Sequence, residues 1–208
     1  MKTIILASSG EFIASNIIDN FLPKPLKKSR ILYITTASKK VNDNSYVAIT
    51  RQKIAELSFS YTEIDIVGKT EEELKKALSL CDIVYVEGGN TFYLLKAVRG
   101  SGFEKVVKEA IDNGVVYWGV SAGSYIACPS IVVATWSDRF DRFGVTDWSA
   151  MNLVPFLIKA HYTTDMLKSL KERACDLQIP MRLLNDKQAV IVIGGEAKII
   201  GGGDDITL

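Results

Sequence analysis

Cysteine is scarce in this chain, and its spacing carries no pattern. Cys81, Cys128 and Cys175 are an odd number, and no CxxC occurs. That argues against a zinc site and against a disulfide framework, and it leaves three reduced thiols of the cytosolic kind. Long apolar runs are also missing. The opening Met1-Lys2-Thr3-Ile4-Ile5-Leu6-Ala7 turns polar at Ser8. It is too short for a signal h-region or a membrane span and reads as a first buried strand. Neither sign of charge dominates: the formal net charge is +1, which gives no electrostatic case for nucleic acid or an anionic membrane surface. Linkers, internal repeats and low-complexity tracts are absent. The expectation is one domain over residues 1–208, cytoplasmic, with no motif that calls for a cofactor or a metal. A homodimer is only the common default for such a chain.

Apolar residues make up 48% of the chain and charged residues 24%, enough to bury a sheet between helix layers. Apolar runs at Thr3–Ala7, Arg30–Thr35, Tyr61–Ile66, Asp82–Val86, Val115–Val120 and Leu153–Ala160 read as strands. Helical spacing occupies the intervals near Phe12–Phe21, Asn44–Leu57, Glu71–Leu80, Phe92–Arg99, Phe103–Asn113 and Asp165–Asp176. Gln188–Ile193 and Ala197–Gly201 flank Gly194-Gly195-Glu196 and read as a hairpin. Strands alternate with helices, and the strand runs are continuously apolar. That pattern predicts a mostly parallel sheet covered on both faces.

One turn carries chemistry. Gly119-Val120-Ser121-Ala122-Gly123 matches G-x-S-x-G, with a buried strand before it and a small-residue helical segment after it. Strand–turn–helix is the setting of a nucleophile elbow. It exposes a serine at the carboxyl end of a sheet, where following backbone N–H groups can face an oxyanion. The bland alternative is a glycine-rich turn with a serine cap. His161 is the single histidine; if an imidazole activates Ser121, it is His161. Asp138, Asp141 and Asp147 lie between the two and are candidates to orient the ring, though each also fits a solvated loop charge. Glu87-Gly88-Gly89-Asn90-Thr91 follows another buried strand. Its glycines can offer N–H groups to an oxyanion, or it is a plain turn in which Asn90 or Thr91 caps the next helix.

Gly88-Gly89-Asn90-Thr91-Phe92, Leu94-Leu95-Lys96, Gly119-Val120-Ser121-Ala122-Gly123, Ala127-Cys128-Pro129-Ser130-Ile131 and Asn152-Leu153-Val154-Pro155-Phe156 with His161 occur in one order. Together they resemble the peptidase E (aspartyl dipeptidase) and cyanophycinase family of serine peptidases. The resemblance implies a three-layer α/β/α sandwich like that of class I glutamine amidotransferases (flavodoxin-like). It implies Ser121 as nucleophile, His161 as general base, and oxyanion donors from the backbone of Gly89 and Ala122. It places an acidic third member somewhat past the serine, for which Asp138 is the choice. The implied activity is hydrolysis of short peptides, dipeptides among them, with Asn90 and Arg173 as candidate substrate contacts. Two departures bear on side-chain preference. Lys159-Ala160 stands where peptidase E has Asn-Pro, and the segment after His161 is shorter; its Lys168, Lys171 and Arg173 also fit a solvated helix face. Other outcomes of the same motif are an esterase or amidase, or a non-catalytic binding protein that keeps the fold.

Overall fold

The structure is a computed structural model, and it describes residues 1–15, 17–137 and 139–208. Among these residues there are ten strands and six α-helices. They are β1 (Thr3–Ala7), β2 (Arg30–Ile34), α1 (Ser45–Leu57), β3 (Ser60–Ile64), α2 (Glu71–Ser79), β4 (Ile83–Val86), α3 (Thr91–Ser101), α4 (Phe103–Asp112), β5 (Val116–Val120), α5 (Ala122–Ala127), β6 (Leu157–Lys159), α6 (Leu167–Ala174), β7 (Met181–Leu183), β8 (Gln188–Ile193), β9 (Glu196–Gly201) and β10 (Ile206–Thr207).

Seven strands form the main sheet in the order β3-β2-β4-β5-β1-β8-β9. The first five are mutually parallel, and β8 and β9 run antiparallel as the expected hairpin. The continuous apolar runs have a simple cause: both faces of the sheet are covered. Side chains alternate between faces. Ile4, Leu6, Val84, Val86 and Tyr117 point into a core closed by α2 to α5. Ile5, Ala7, Tyr85, Trp118 and Val120 point into a second core closed by α1 and by short turns after β1. Burying each such aliphatic side chain stabilises by about 1.5–3 kcal/mol. The result is the three-layer α/β/α arrangement. Among the described residues no helix is long and apolar enough to cross a membrane.

Three expectations change. The helix near Phe12–Phe21 is instead a pair of 3-10 turns, Gly10–Ala14 and Ile18–Phe21; Phe12, Ile13 and Ile18 are still buried. The strand expected over Leu153–Ala160 contracts to β6, because Pro155 has no N–H to give to a ladder. The helix over Asp165–Asp176 is a 3-10 turn, Thr164–Met166, followed by α6. A second sheet, β10-β7-β6, was not expected at all. Two of its strands hold only three residues and one holds two, too few for any periodicity to register.

The carboxyl ends of two parallel strand pairs meet at one edge of the molecule. In the main sheet, β1 and β5 pair with Ala7 opposite Val120, so the next residues are Ser8 and Ser121. In the second sheet, β6 and β7 pair with Lys159 opposite Leu183, and the chain then runs to His161 and Asp186.

Candidate active site

Ser121 sits on the turn between β5 and α5 with φ 46° and ψ −104°, a backbone state that few non-glycine residues adopt. The flanking glycines are there for sterics. A Cβ on Gly119 would fall on the Gly123 carbonyl group, and one on Gly123 would fall on the carbonyl oxygen of Val86. Only hydrogen fits at both places, so the elbow packs directly on β4. The Ser124 hydroxyl donates towards the carbonyls of Ala7 and Gly119, and the Ser121 N–H donates to Ala7. The turn is thereby tied to β1 and β5.

His161 brings Nε2 to 3.0 Å from Ser121 Oγ. Its other ring nitrogen, Nδ1, lies 2.6 Å from Asp186 Oδ1. An ionised carboxylate can only accept, so the ring proton belongs on Nδ1. Nε2 is then free to accept the Ser121 hydroxyl proton. His161 also has a left-handed backbone, φ 55°. The adjoining groups hold it there. The His161 N–H donates to Ser8 Oγ at 2.7 Å, the Ala160 N–H donates to the Tyr125 hydroxyl, and the Tyr162 N–H donates to the Leu184 carbonyl.

The turn after β4 packs against Ser121: a Cβ on Gly88 would lie 3.2 Å from Ser121 Cβ. Its geometry is locked from several sides. The Gly88 N–H donates to Glu87 Oε1 at 2.7 Å, and the Tyr46 hydroxyl donates to the Gly88 carbonyl at 3.1 Å. The Asn90 N–H donates to the Ala37 carbonyl. Gly89 has φ 138°, open only to glycine, and a side chain there would strike the Ala37 carbonyl. The Gly88 N–H is committed to Glu87, whereas those of Gly89 and Ala122 donate to no described residue.

Glu87 is 1% exposed. Its Oε2 accepts from the Tyr33 hydroxyl at 2.6 Å. Burial pushes its carboxyl above the ordinary range, against the downward pull of hydrogen bonds from Tyr33, Gly88 and Thr50. Burial, then the Glu87 charge, lifts the Tyr46 hydroxyl to about 12. Lys159, half-buried beside His161, donates to the Ala160 carbonyl at 2.7 Å; burial lowers its ammonium below the usual range while Asp186 pulls the other way.

The other expected residues fall as follows. Asp138 lies outside the described residues. Asp141 Oδ1 accepts from the Phe143 N–H, and Asp147 pairs with Arg99, so neither is the partner of the ring. The carboxylate on His161 is Asp186, from the turn between β7 and β8, which sequence reasoning did not single out. Ser8 was missed as well. Asn90 is 1% exposed; its Oδ1 caps α3 through the Tyr93 N–H, and its Nδ2 donates to the Asp141 carbonyl. It thus serves as the helix cap and loop tie rather than as an open substrate contact. Arg173 lies over the Trp136 ring and donates to the Trp136 carbonyl.

Comparison with known proteins agrees with this geometry. The model of peptidase family S51 matches residues 4–200. The uncharacterized peptidase PM1590 of Pasteurella multocida is 30% identical over 208 residues, covering 97% of this chain and 98% of that protein. Peptidase E of an Escherichia coli O6:K15:H31 strain is 31% identical over 158 residues, 76% of this chain and 62% of that one. A crystal structure of a protein described as a peptidase E from Listeria monocytogenes superposes with a TM-score of 0.84 at 27% identity, over 98% of this chain and all of that one. With its fold, its Ser121 elbow and a family match over almost its whole length, the chain belongs to peptidase family S51 and is a serine-type peptidase.

Proposed function

We propose that the protein cleaves short peptides, dipeptides among them, through Ser121, His161 and Asp186. The observation that carries this reading is the continuous chain of two hydrogen bonds, Ser121 Oγ to His161 Nε2 and His161 Nδ1 to Asp186 Oδ1. As His161 Nε2 takes its proton, Ser121 Oγ bonds to the scissile carbonyl carbon. The carbonyl oxygen becomes an oxyanion facing the N–H groups of Gly89 and Ala122, each of which contributes about 3 kcal/mol of transition-state stabilisation. The imidazolium then protonates the leaving amine, and an acyl-enzyme remains on Ser121. His161 next deprotonates a water, which attacks the acyl carbon, and the proton returns to Ser121 Oγ as the acid leaves. Asp186 holds the ring tautomer and stabilises the imidazolium.

A preference for an acidic residue in the substrate is supported by cationic charge around the same strand ends. Lys159, half-buried beside His161, holds its amine 2.7 Å from the Ala160 carbonyl at the end of β6. The test is turnover of a panel of Asp-X, X-Asp and uncharged dipeptides by the wild type and by Ser121→Ala. The reading expects turnover by the wild type alone, fastest on acidic members. Equal background in both proteins would overturn it, and equal rates across the panel would remove the acidic preference.

A further inference from the structure

We infer that Ser8 is a positioning residue of the Ser121–His161–Asp186 machinery, joining base and acid through one buried hydroxyl. The inference rests on the assignment of those three residues to catalysis. Ser8 is the first residue past β1, in register with Ser121 past the parallel strand β5. It is 0% exposed. Its Oγ accepts the His161 N–H at 2.7 Å and lies 3.0 Å from Asp186 Oδ1 and 3.1 Å from the Leu184 carbonyl. A hydroxyl has one proton, and here both oxygens that can take it belong to the segment that carries Asp186. The next residue helps: the Ser9 hydroxyl donates to the Asp186 carbonyl at 3.0 Å.

Two features of the site require such a support. The first is backbone strain. His161 holds φ 55°, a strained state that a non-glycine residue keeps only where its surroundings enforce it. The Ser8 Oγ acceptor fixes the His161 N–H, and with it the direction in which the imidazole leaves the chain. The second is exposure. The side chains of His161 and Asp186 are 50% and 53% exposed, so packing alone does not fix them against each other. Asp186 Oδ1 faces both the His161 Nδ1–H and the Ser8 hydroxyl, whose one proton it shares with the Leu184 carbonyl. The carboxylate cannot swing towards solvent without losing both. Ser8 therefore acts on the reaction through His161 and Asp186, and touches no reacting atom.

Because His161 is the single histidine, its imidazole nitrogens give unambiguous 15N signals, and no substrate is needed to read them. With the ring neutral, the wild type should show one tautomer, protonated at Nδ1, and slow exchange of the His161 backbone N–H. Ser8→Ala should show a mixture of tautomers, and its Ser121 should be labelled by a fluorophosphonate about tenfold more slowly. Ser8→Thr keeps the hydroxyl and should restore the single tautomer. Two results would overturn the inference. One is a folded Ser8→Ala with the wild-type tautomer and a labelling rate within about twofold, even if its stability drops, since that is scaffolding alone. The other, which needs no variant to fold, is a wild-type ring already mixed in tautomer with a freely exchanging His161 N–H. If no peptide is ever turned over, the proposed substrate class fails, while the tautomer readout still decides the role of Ser8.

Discussion

Nδ1 of His161 lies 2.6 Å from Oδ1 of Asp186, a residue 25 positions further along the chain. The two come together because β6 and β7 are parallel neighbours in the second sheet and end at the same level. Asp186→Asn keeps the shape and removes the charge, leaving an amide that can offer the ring a donor and stabilise the wrong tautomer. The expected loss in kcat is about 10²- to 10⁴-fold with the fold intact. Asp141→Asn should leave kcat unchanged. Asp147→Asn weakens an exposed pair with Arg99 and the bonds from Ser149, far from Ser121, and should also leave kcat unchanged. Steady-state kinetics on the three variants checks the assignment. A large loss in Asp141→Asn or Asp147→Asn with none in Asp186→Asn would reverse it.

Gly88 and Gly89 adjoin but should answer alanine differently. Gly88 lies outside the positive-φ region, and its new Cβ would meet Ser121 Cβ at 3.2 Å. The variant should fold and lose about 10- to 100-fold in kcat, because the nucleophile is displaced by a fraction of an ångström. Gly89→Ala combines φ 138° with a clash against the Ala37 carbonyl. It should lose more than about 2 kcal/mol of stability. Denaturant unfolding paired with kinetics separates the two outcomes, and equal stability losses in both variants would contradict the argument.

Glu87 supplies a pH-dependent prediction. Its folded-state pKa is raised, by burial above all, whereas an unfolded glutamate titrates near about 4.3. The folded protein thus binds this proton more tightly than the unfolded chain does. The contribution to stability is full below the unfolded value and is lost as pH rises through the folded value. Glu87→Gln imitates the protonated form and never ionises. Relative to wild type, the Gln variant should gain stability as pH rises from about 4 upward, then level off above the folded value. Urea unfolding at several pH values measures it. A stability difference that does not change with pH, or one that moves against Gln, would show that Glu87 ionises without cost.

Much of this site could be read from the residues because its chemistry is local. Ser121 announces itself by the strand before it, the glycines on either side and the short helix after it. His161 stands out because the chain has no other imidazole. Asn90 as a helix cap was one of two readings open at that turn, and the side chain takes it. Asp186 was not legible. Nothing in Asn185-Asp186-Lys187 differs from an ordinary polar turn, and its meaning comes from the pairing of β6 with β7, strands too short to show a period. Ser8 was hidden for the same reason: its partners stand more than 150 positions away. The sheet core was easier, since Tyr85, Trp118 and their neighbours sit in runs whose apolar continuity follows from burial on both faces.

The central claim is that Ser121 is a nucleophile activated by His161. Mass-spectrometric mapping of the adduct left by a fluorophosphonate tests it most directly. The account predicts one adduct, on Ser121, formed by the wild type and slowed by at least about 10²-fold in His161→Ala. An unlabelled Ser121 in folded wild-type protein, or labelling that proceeds at the same rate without His161, would contradict it.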